Sequence, residues 1–291
     1  MQIFGNKIIQ TGCIVLLFLL PFISNAQEKK EQSEIELIEE TFQSPILINN
    51  QTIDVVGKNC LEFSYLQRFG NINNDIDLFG LYAPANLRLG LDYGLIKNVS
   101  IGVGATKSKN IFDANTKILL LNQNKSGNTP VSVAFFAEAS RSGMSETNFM
   151  NQNGQYNSLN RLSYFSELMV ARKFNDQFSL QAALTFCYFN LMEENYSNST
   201  IGLSVISRYK IYKQTSIIFD YDLPFTHSIN VPKQNIGLGL EFAGKINSLQ
   251  LFVSSCDAII NSEFRVCNQN DFTKGDFLIG FNVSHRWSFR K

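Results

Sequence analysis

The C-terminal stretch Gly275–Phe289 reads GDFLIGFNVSHRWSF. From Phe277 every second residue is large and apolar or aromatic: Phe277, Ile279, Phe281, Val283, then Trp287 and Phe289, with His285 the one break. Between them stand Gly280, Asn282, Ser284, Arg286 and Ser288, with Leu278 the exception. A period of two sends these sets to opposite faces of a strand. An apolar-aromatic face opposite a polar one suits a strand lying between lipid and an aqueous lumen. The stretch predicts the closing strand of a membrane β-barrel.

Upstream, eleven further runs alternate in the same way, at 59–69, 85–95, 99–106, 111–121, 131–141, 161–173, 178–189, 200–212, 216–223, 235–244 and 248–255. The cleanest is 85–95, with Ala85, Leu87, Leu89, Leu91, Tyr93 and Leu95 against Asn86, Arg88, Gly90, Asp92 and Gly94. The weakest is 111–121, where the ending ILLL obscures the period. The runs are near the roughly 9–11 residues that a tilted strand needs to cross a bilayer. The expected fold is all-β: a single antiparallel transmembrane β-barrel of about twelve strands with a short N-terminal arm.

The connections sharpen the prediction. Those after the second, sixth, eighth and tenth runs are tight, and those after the first, fifth, seventh, ninth and eleventh are long and polar. Outer-membrane barrels pair short periplasmic turns with long external loops. This parity puts both chain ends on the short-turn side and makes the first and last strands neighbours. In that register the lower outward ends carry Tyr93, Phe178, Tyr209, Phe242, Trp287 and Phe289. The upper ends carry Phe69, Phe112, Tyr164, Tyr188, Tyr221 and Phe277. Two aromatic girdles are expected where two membrane–water interfaces lie.

The chain has 291 residues, with 25 Lys and Arg against 25 Asp and Glu. No basic field argues for nucleic acid. Its mean hydropathy of −0.06 fits apolar residues interleaved with polar ones. Lys7, the apolar run Ile14–Ile23 and Ser24-Asn25-Ala26 read as a signal peptide over 1–26, for Sec-type export. Cys13 lies too early, behind too polar a stretch, to be a convincing lipid-attachment site. Residues 27–57 read as a periplasmic linker and arm, and 58–291 as the barrel. The arm segment TFQSPILINNQTID, Thr41–Asp54, is extended and rich in turn residues, either a loosely packed arm or a segment that folds into the barrel mouth. No later stretch reaches the roughly 18 apolar residues of a membrane helix.

The inward positions carry charges of both signs. Arg68, Arg88, Lys117, Arg208, Lys210 and Arg286 stand with Glu62, Asp92, Asp113, Glu138, Glu167, Asp220, Asp222 and Glu241. Either they line a narrow hydrophilic pore, or they pair across the lumen and fill it, since unpaired buried charge is costly. Of the two histidines, His227 falls in a long external loop and His285 on the lipid face. A lipid-cleaving barrel needs a serine beside such a histidine, and the strand of His285 offers no outward serine next to it. Cys256 and Cys267 share the last external loop and are candidates for a disulfide in an oxidising compartment. No Cys/His spacing suggests a metal site, and no cofactor is expected.

Gln67-Arg68-Phe69-Gly70, Asp77–Gly94 (DLFGLYAPANLRLGLDYG) and the arm TFQSPILINNQTID resemble a family of β-barrel proteins of unknown function from Bacteroidota-type bacteria. The resemblance runs from about Thr41 to the end. Family members often carry His where this chain has Gln67. The resemblance implies location and fold and no activity. Trp287-Ser288-Phe289 is similar to the C-terminal assembly signal of outer-membrane proteins, with Arg290-Lys291 as a departure. The expectation is an outer-membrane barrel, a narrow channel or a passive structural or binding barrel, and not an enzyme. Its expected partners are outer-membrane lipid, the barrel assembly machinery and small solutes. Two other classes stand beside it: a secreted soluble β-sandwich, and a lipid-acting membrane enzyme.

Overall fold

Two-faced strands with polar inward rows have one arrangement that satisfies every backbone group in lipid, a sheet closed on itself. The chain takes that arrangement in the computed structural model, which describes residues 37, 40–73, 78–125, 128–151, 153–193, 195–226 and 229–289. A small hairpin of β1 (Ile46–Leu47) and β2 (Asn50–Gln51) comes first. The barrel strands follow as β3 (Cys60–Asn71), β4 (Asn86–Ile96), β5 (Val99–Thr106), β6 (Ile111–Leu121), β7 (Ser132–Arg141) and β8 (Leu162–Lys173). They continue as β9 (Phe178–Phe189), β10 (Ser199–Tyr212), β11 (Thr215–Phe225), β12 (Asn235–Ala243), β13 (Asn247–Ser254) and β14 (Leu278–Ser288). One short helix, α1 (Asn261–Cys267), lies between β13 and β14.

Each barrel strand pairs with its chain neighbour, and β14 pairs antiparallel with β3 to close a twelve-stranded barrel. Trp287 sits opposite Leu61, and Arg286 opposite Glu62. The opening stretch is therefore the closing strand. The observed strands match the alternating runs to within two residues at nearly every end. The ladder slips between Leu119 and Leu121, and this bulge is why the period of 111–121 is blurred.

The burial pattern is inverted relative to a soluble fold. Arg68, Glu62, Glu167, Gln181, Asp220, Glu241 and Gln250 are buried inside. Leu91, Val103, Leu184, Leu203, Leu238 and Leu251 are exposed outside. Such a belt exceeds the apolar patches of soluble monomers and is a lipid-facing surface. Its lower end carries Tyr209 opposite Phe178, and its upper end Tyr164 opposite Tyr188. A two-sheet sandwich would bury Trp287; instead the sheet closes and Trp287 is 43% exposed.

The long connections 72–85, 142–161, 190–198, 226–234 and 255–277 share one end with the turn 107–110, and the short turns share the other. The expectations for the leader and Cys13, for the linker up to residue 36, for His227 and for Arg290-Lys291 lie outside the described residues.

Candidate functional site

Three ion pairs among the inward charges run along the wall rather than across the lumen, and glycine makes one of them possible. Arg88 on β4 reaches over β5 to Asp113 on β6, with Nε–Oδ2 3.0 Å and Nη2–Oδ1 2.6 Å. Gly104 of β5 lies between them, and a Cβ there would overlap both side chains. Arg208 on β10 likewise reaches Glu241 on β12 at 2.8 Å. Arg286 of β14 bonds Glu62 of β3 at 2.7 Å, beside Glu40 of the arm at 3.6 Å. Glu138 accepts from Asn261 at 2.9 Å, and Glu167 from Ser204 at 3.2 Å. Lys210, near the lower rim, is half-buried.

The middle of the lumen belongs to the arm, so of the two readings of Thr41–Asp54 the loosely packed periplasmic segment is corrected, and the segment lies inside the barrel. Phe42, Leu47, Ile48 and Ile53 are among the most buried side chains of the protein. The segment is folded in its own right. Thr52 N–H donates to the Pro45 carbonyl at 2.9 Å and its hydroxyl to the Ser44 carbonyl at 2.8 Å. The Asp54 carboxylate closes the loop by accepting from the amides of Thr41 and Phe42, at 3.1 and 2.6 Å. Polar residues that looked like a solvated arm are the matching half of the wall. Gln43 accepts from Arg208 at 2.6 Å, and Ser44 donates to Glu241 at 2.8 Å. Lys117 donates to the carbonyls of Pro45 and Asp54, at 3.1 and 3.2 Å. Asn50 Nδ2 donates to Asp220 and Asp222, at 3.3 and 3.0 Å, and Asn235 donates to the same two carboxylates.

Arg68 is the central clamp. Its Nε and Nη2 donate to Asn49 Oδ1 at 3.1 and 2.9 Å, Nη2 also to the Ile48 carbonyl at 2.9 Å, and Nη1 to Asn282 Oδ1 at 2.9 Å. Its guanidinium lies 4.6 Å from the Phe252 ring centroid. Ile48, at the hairpin corner, has φ +53°, a left-handed conformation unusual for a β-branched residue. Two small cavities of about 10 Å³ each flank the hairpin. One contains Asp92 and Lys117 in its wall, the other Arg88 and Glu138. Each has room for about one water.

From the loop side α1 caps this plug. Arg265 donates to Asn50 Oδ1 at 2.5 Å and pairs with Asp222 at 3.4 Å, stacking over Phe165. Cys256 and Cys267, considered as a disulfide, are free thiols, as are Cys60 and Cys187. On the lipid face His285 bonds Asn247 Oδ1 at 2.5 Å and meets Trp287 edge-on. Its hydrogen-bond partner is a carboxamide and not a serine hydroxyl. Among the described residues no cluster of His, Cys, Asp and Glu is arranged to hold a metal ion.

The inward charges were legible one by one. The hairpin and α1, which supply hydrogen bonds to many of them, were not. The available hint was the apolar triplet Ile46-Leu47-Ile48 in an otherwise polar arm.

The chain is similar in fold to several solved membrane barrels. KdgM porin is 10% identical with a TM-score of 0.46, over 79% of this chain and 99% of that one. An outer membrane channel from Pseudomonas putida F1 is 8% identical with a TM-score of 0.48, over 89% and 100%. OmpT of Vibrio cholerae is 8% identical with a TM-score of 0.38, over 80% and 100%. No curated protein matches the chain. A family model described as a membrane bound beta barrel domain matches residues 42–287. With most of its length matched, the closed barrel described above belongs to the membrane bound beta barrel domain family (DUF5777).

Proposed function

We propose that this protein is an outer-membrane barrel closed by its own N-terminal hairpin, and that it serves as a passive structural or binding barrel and not as an enzyme. One observation carries the reading: the segment Thr41–Val56 occupies the lumen and is hydrogen-bonded to the wall from β3 and β6 round to β14. The outer-membrane location is supported by short turns at one end and long loops at the other, with aromatic side chains near both. Outer-membrane lipid and the barrel assembly machinery are the partners this placement requires. The second reading is a narrow channel for small solutes that opens when the hairpin leaves. It is favoured by the polar wall behind the hairpin, where Ser179, Gln181 and Gln250 would line a wet passage.

Planar-bilayer conductance tests the proposal. The wild-type barrel is expected to be silent at moderate voltage. A steady ohmic current through the wild type would overturn the closed-barrel reading.

A further inference from the structure

The loop end of the barrel contains a cavity of about 760 Å³, within the size range of small-molecule sites. It lies above α1, whose Glu263 and Cys267 form part of its wall while Arg265 holds the plug below. A molecule entering from the loop side therefore meets a floor, so the cavity is suited to binding and not to passage.

The lining describes the ligand. Among the described residues its charges are two cations and two anions: Lys109, Arg161, Glu193 and Glu263. Lys109 is paired to Glu263 at 2.9 Å. Arg161 is committed to the Tyr156 hydroxyl at 2.7 Å, to the Ser142 carbonyl at 3.1 Å and to the Met144 carbonyl. Its guanidinium also lies against Phe149 and Tyr156, at 4.9 and 5.3 Å. An anionic ligand would have to break one of the cations' arrangements or lose its hydration without a partner, and a cationic one would meet, outside the Lys109 pair, the solvent-exposed Glu193, a contact worth little. The apolar lining is soft. Met144, Met150 and Met192 are three of the chain's five methionines, and all three face this cavity. Unbranched thioether side chains repack around flexible apolar groups, and Phe149 and Phe189 add flat faces. Neutral carboxamides of Asn151 and Asn160 in the same wall suit hydroxyl or carbonyl groups.

We propose that this vestibule binds an uncharged, flexible amphipathic small molecule from the external side. The inference deepens the binding-barrel reading and rests on it. The two fail separately, because conductance reports the lumen and ligand fluorescence reports the loops.

The test uses the full barrel in lipid nanodiscs with the neutral fluorophore phenylnaphthylamine, subtracting empty discs. The expected result is saturable binding at one site per barrel. Phe149→Ser and Met150→Glu are each expected to weaken it roughly tenfold or more, from lost apolar contact and a desolvated charge. Met150 is 42% exposed, so its replacement leaves the barrel interior untouched. Leu249→Ala, on the lipid face, is expected to bind as the wild type does. Anionic anilinonaphthalene sulfonate is expected to bind roughly tenfold more weakly than the neutral probe. Non-saturable signal, wild-type affinity in both vestibule variants, or sulfonate binding as tight as the neutral probe would each overturn the proposal. A heat-modifiable gel shift confirms that every variant is folded.

Discussion

Arg68→Met is the substitution that most directly tests whether the hairpin is held as described. Arg68 is 1% exposed, and three of its hydrogen bonds end on the hairpin, at Asn49 Oδ1 twice and at the Ile48 carbonyl. Bonds from a charged donor are worth about 1.5–3 kcal/mol each and do not add when they share a donor group. The Ile48 carbonyl keeps Asn282 Nδ2 at 2.9 Å as a second donor, whereas Asn49 Oδ1 loses the two bonds it accepts from Arg68. Against this, the buried guanidinium carries a desolvation cost that methionine removes. The balance is a loss of about 2–4 kcal/mol in hairpin docking, or roughly 30- to 700-fold in the ratio of docked to undocked states. The readout is labelling of Ile53→Cys by a membrane-impermeant maleimide, resolved by peptide mass. Ile53 is 1% exposed and has no polar side-chain bond to lose. Adding Arg68→Met is expected to raise the labelling rate by that factor. Arg68→Lys should fall between, because one ammonium cannot span the acceptors that the guanidinium fork reaches. Labelling as slow in Arg68→Met as in the parent would refute the clamp.

Two further expectations concern the wall and the loops. Gly104→Val drives a side chain between Arg88 and Asp113 and should separate them, costing about 3–5 kcal/mol, the usual penalty for breaking a buried pair. Urea unfolding in detergent checks it, and an unchanged midpoint would show that β5 can yield. In the external loop, burial pushes the Cys267 thiol up to about 12, with Glu263 adding to the rise and Lys109 opposing it. The reactive thiolate is then scarce at pH 8, and alkylation should run at least roughly a hundredfold slower than for a free cysteine. Denaturant should abolish the difference, and rapid alkylation of the native protein would contradict the burial.

The barrel was legible because each strand has to face two solvents at once. That requirement writes a period of two into β4 and β9 that no loop disturbs. Where the ladder slips, at Leu119–Leu121, the pattern fails at the same place. The hairpin lacked any such signature. Its strands are two residues each, too short for a period, and its burial is supplied by side chains up to 234 positions away. Asn49 and Asn50 look like turn residues for solvent. They are instead shaped to Arg68, Ser254, Asp220 and Asp222. The short helix α1 hides for a similar reason. Seven residues give less than two turns, and its buried residues mix Asn261, Ser262 and Arg265 with Phe264 and Val266, so no clean apolar stripe shows. The pairing of Arg88 with Asp113 was also beyond the sequence, because it skips a strand and depends on what Gly104 lacks.

The peptide groups of Ile48 touch three strands: its N–H donates to Gln250 of β13, and its carbonyl receives Arg68 of β3 and Asn282 of β14. Two of those strands are the ends of the barrel sheet, joined only when the last strand made reaches the first. The corner therefore has no complete set of partners in the growing chain, and its left-handed backbone, worth about 1–3 kcal/mol of strain, has nothing to offset it there. Once β14 zips onto β3, the same corner bridges the join from within. One residue thus links the closure of the barrel to the seating of the hairpin. The bonds of this corner are complete only when β14 has met β3, and parting that join takes at least one of the two donors from the Ile48 carbonyl.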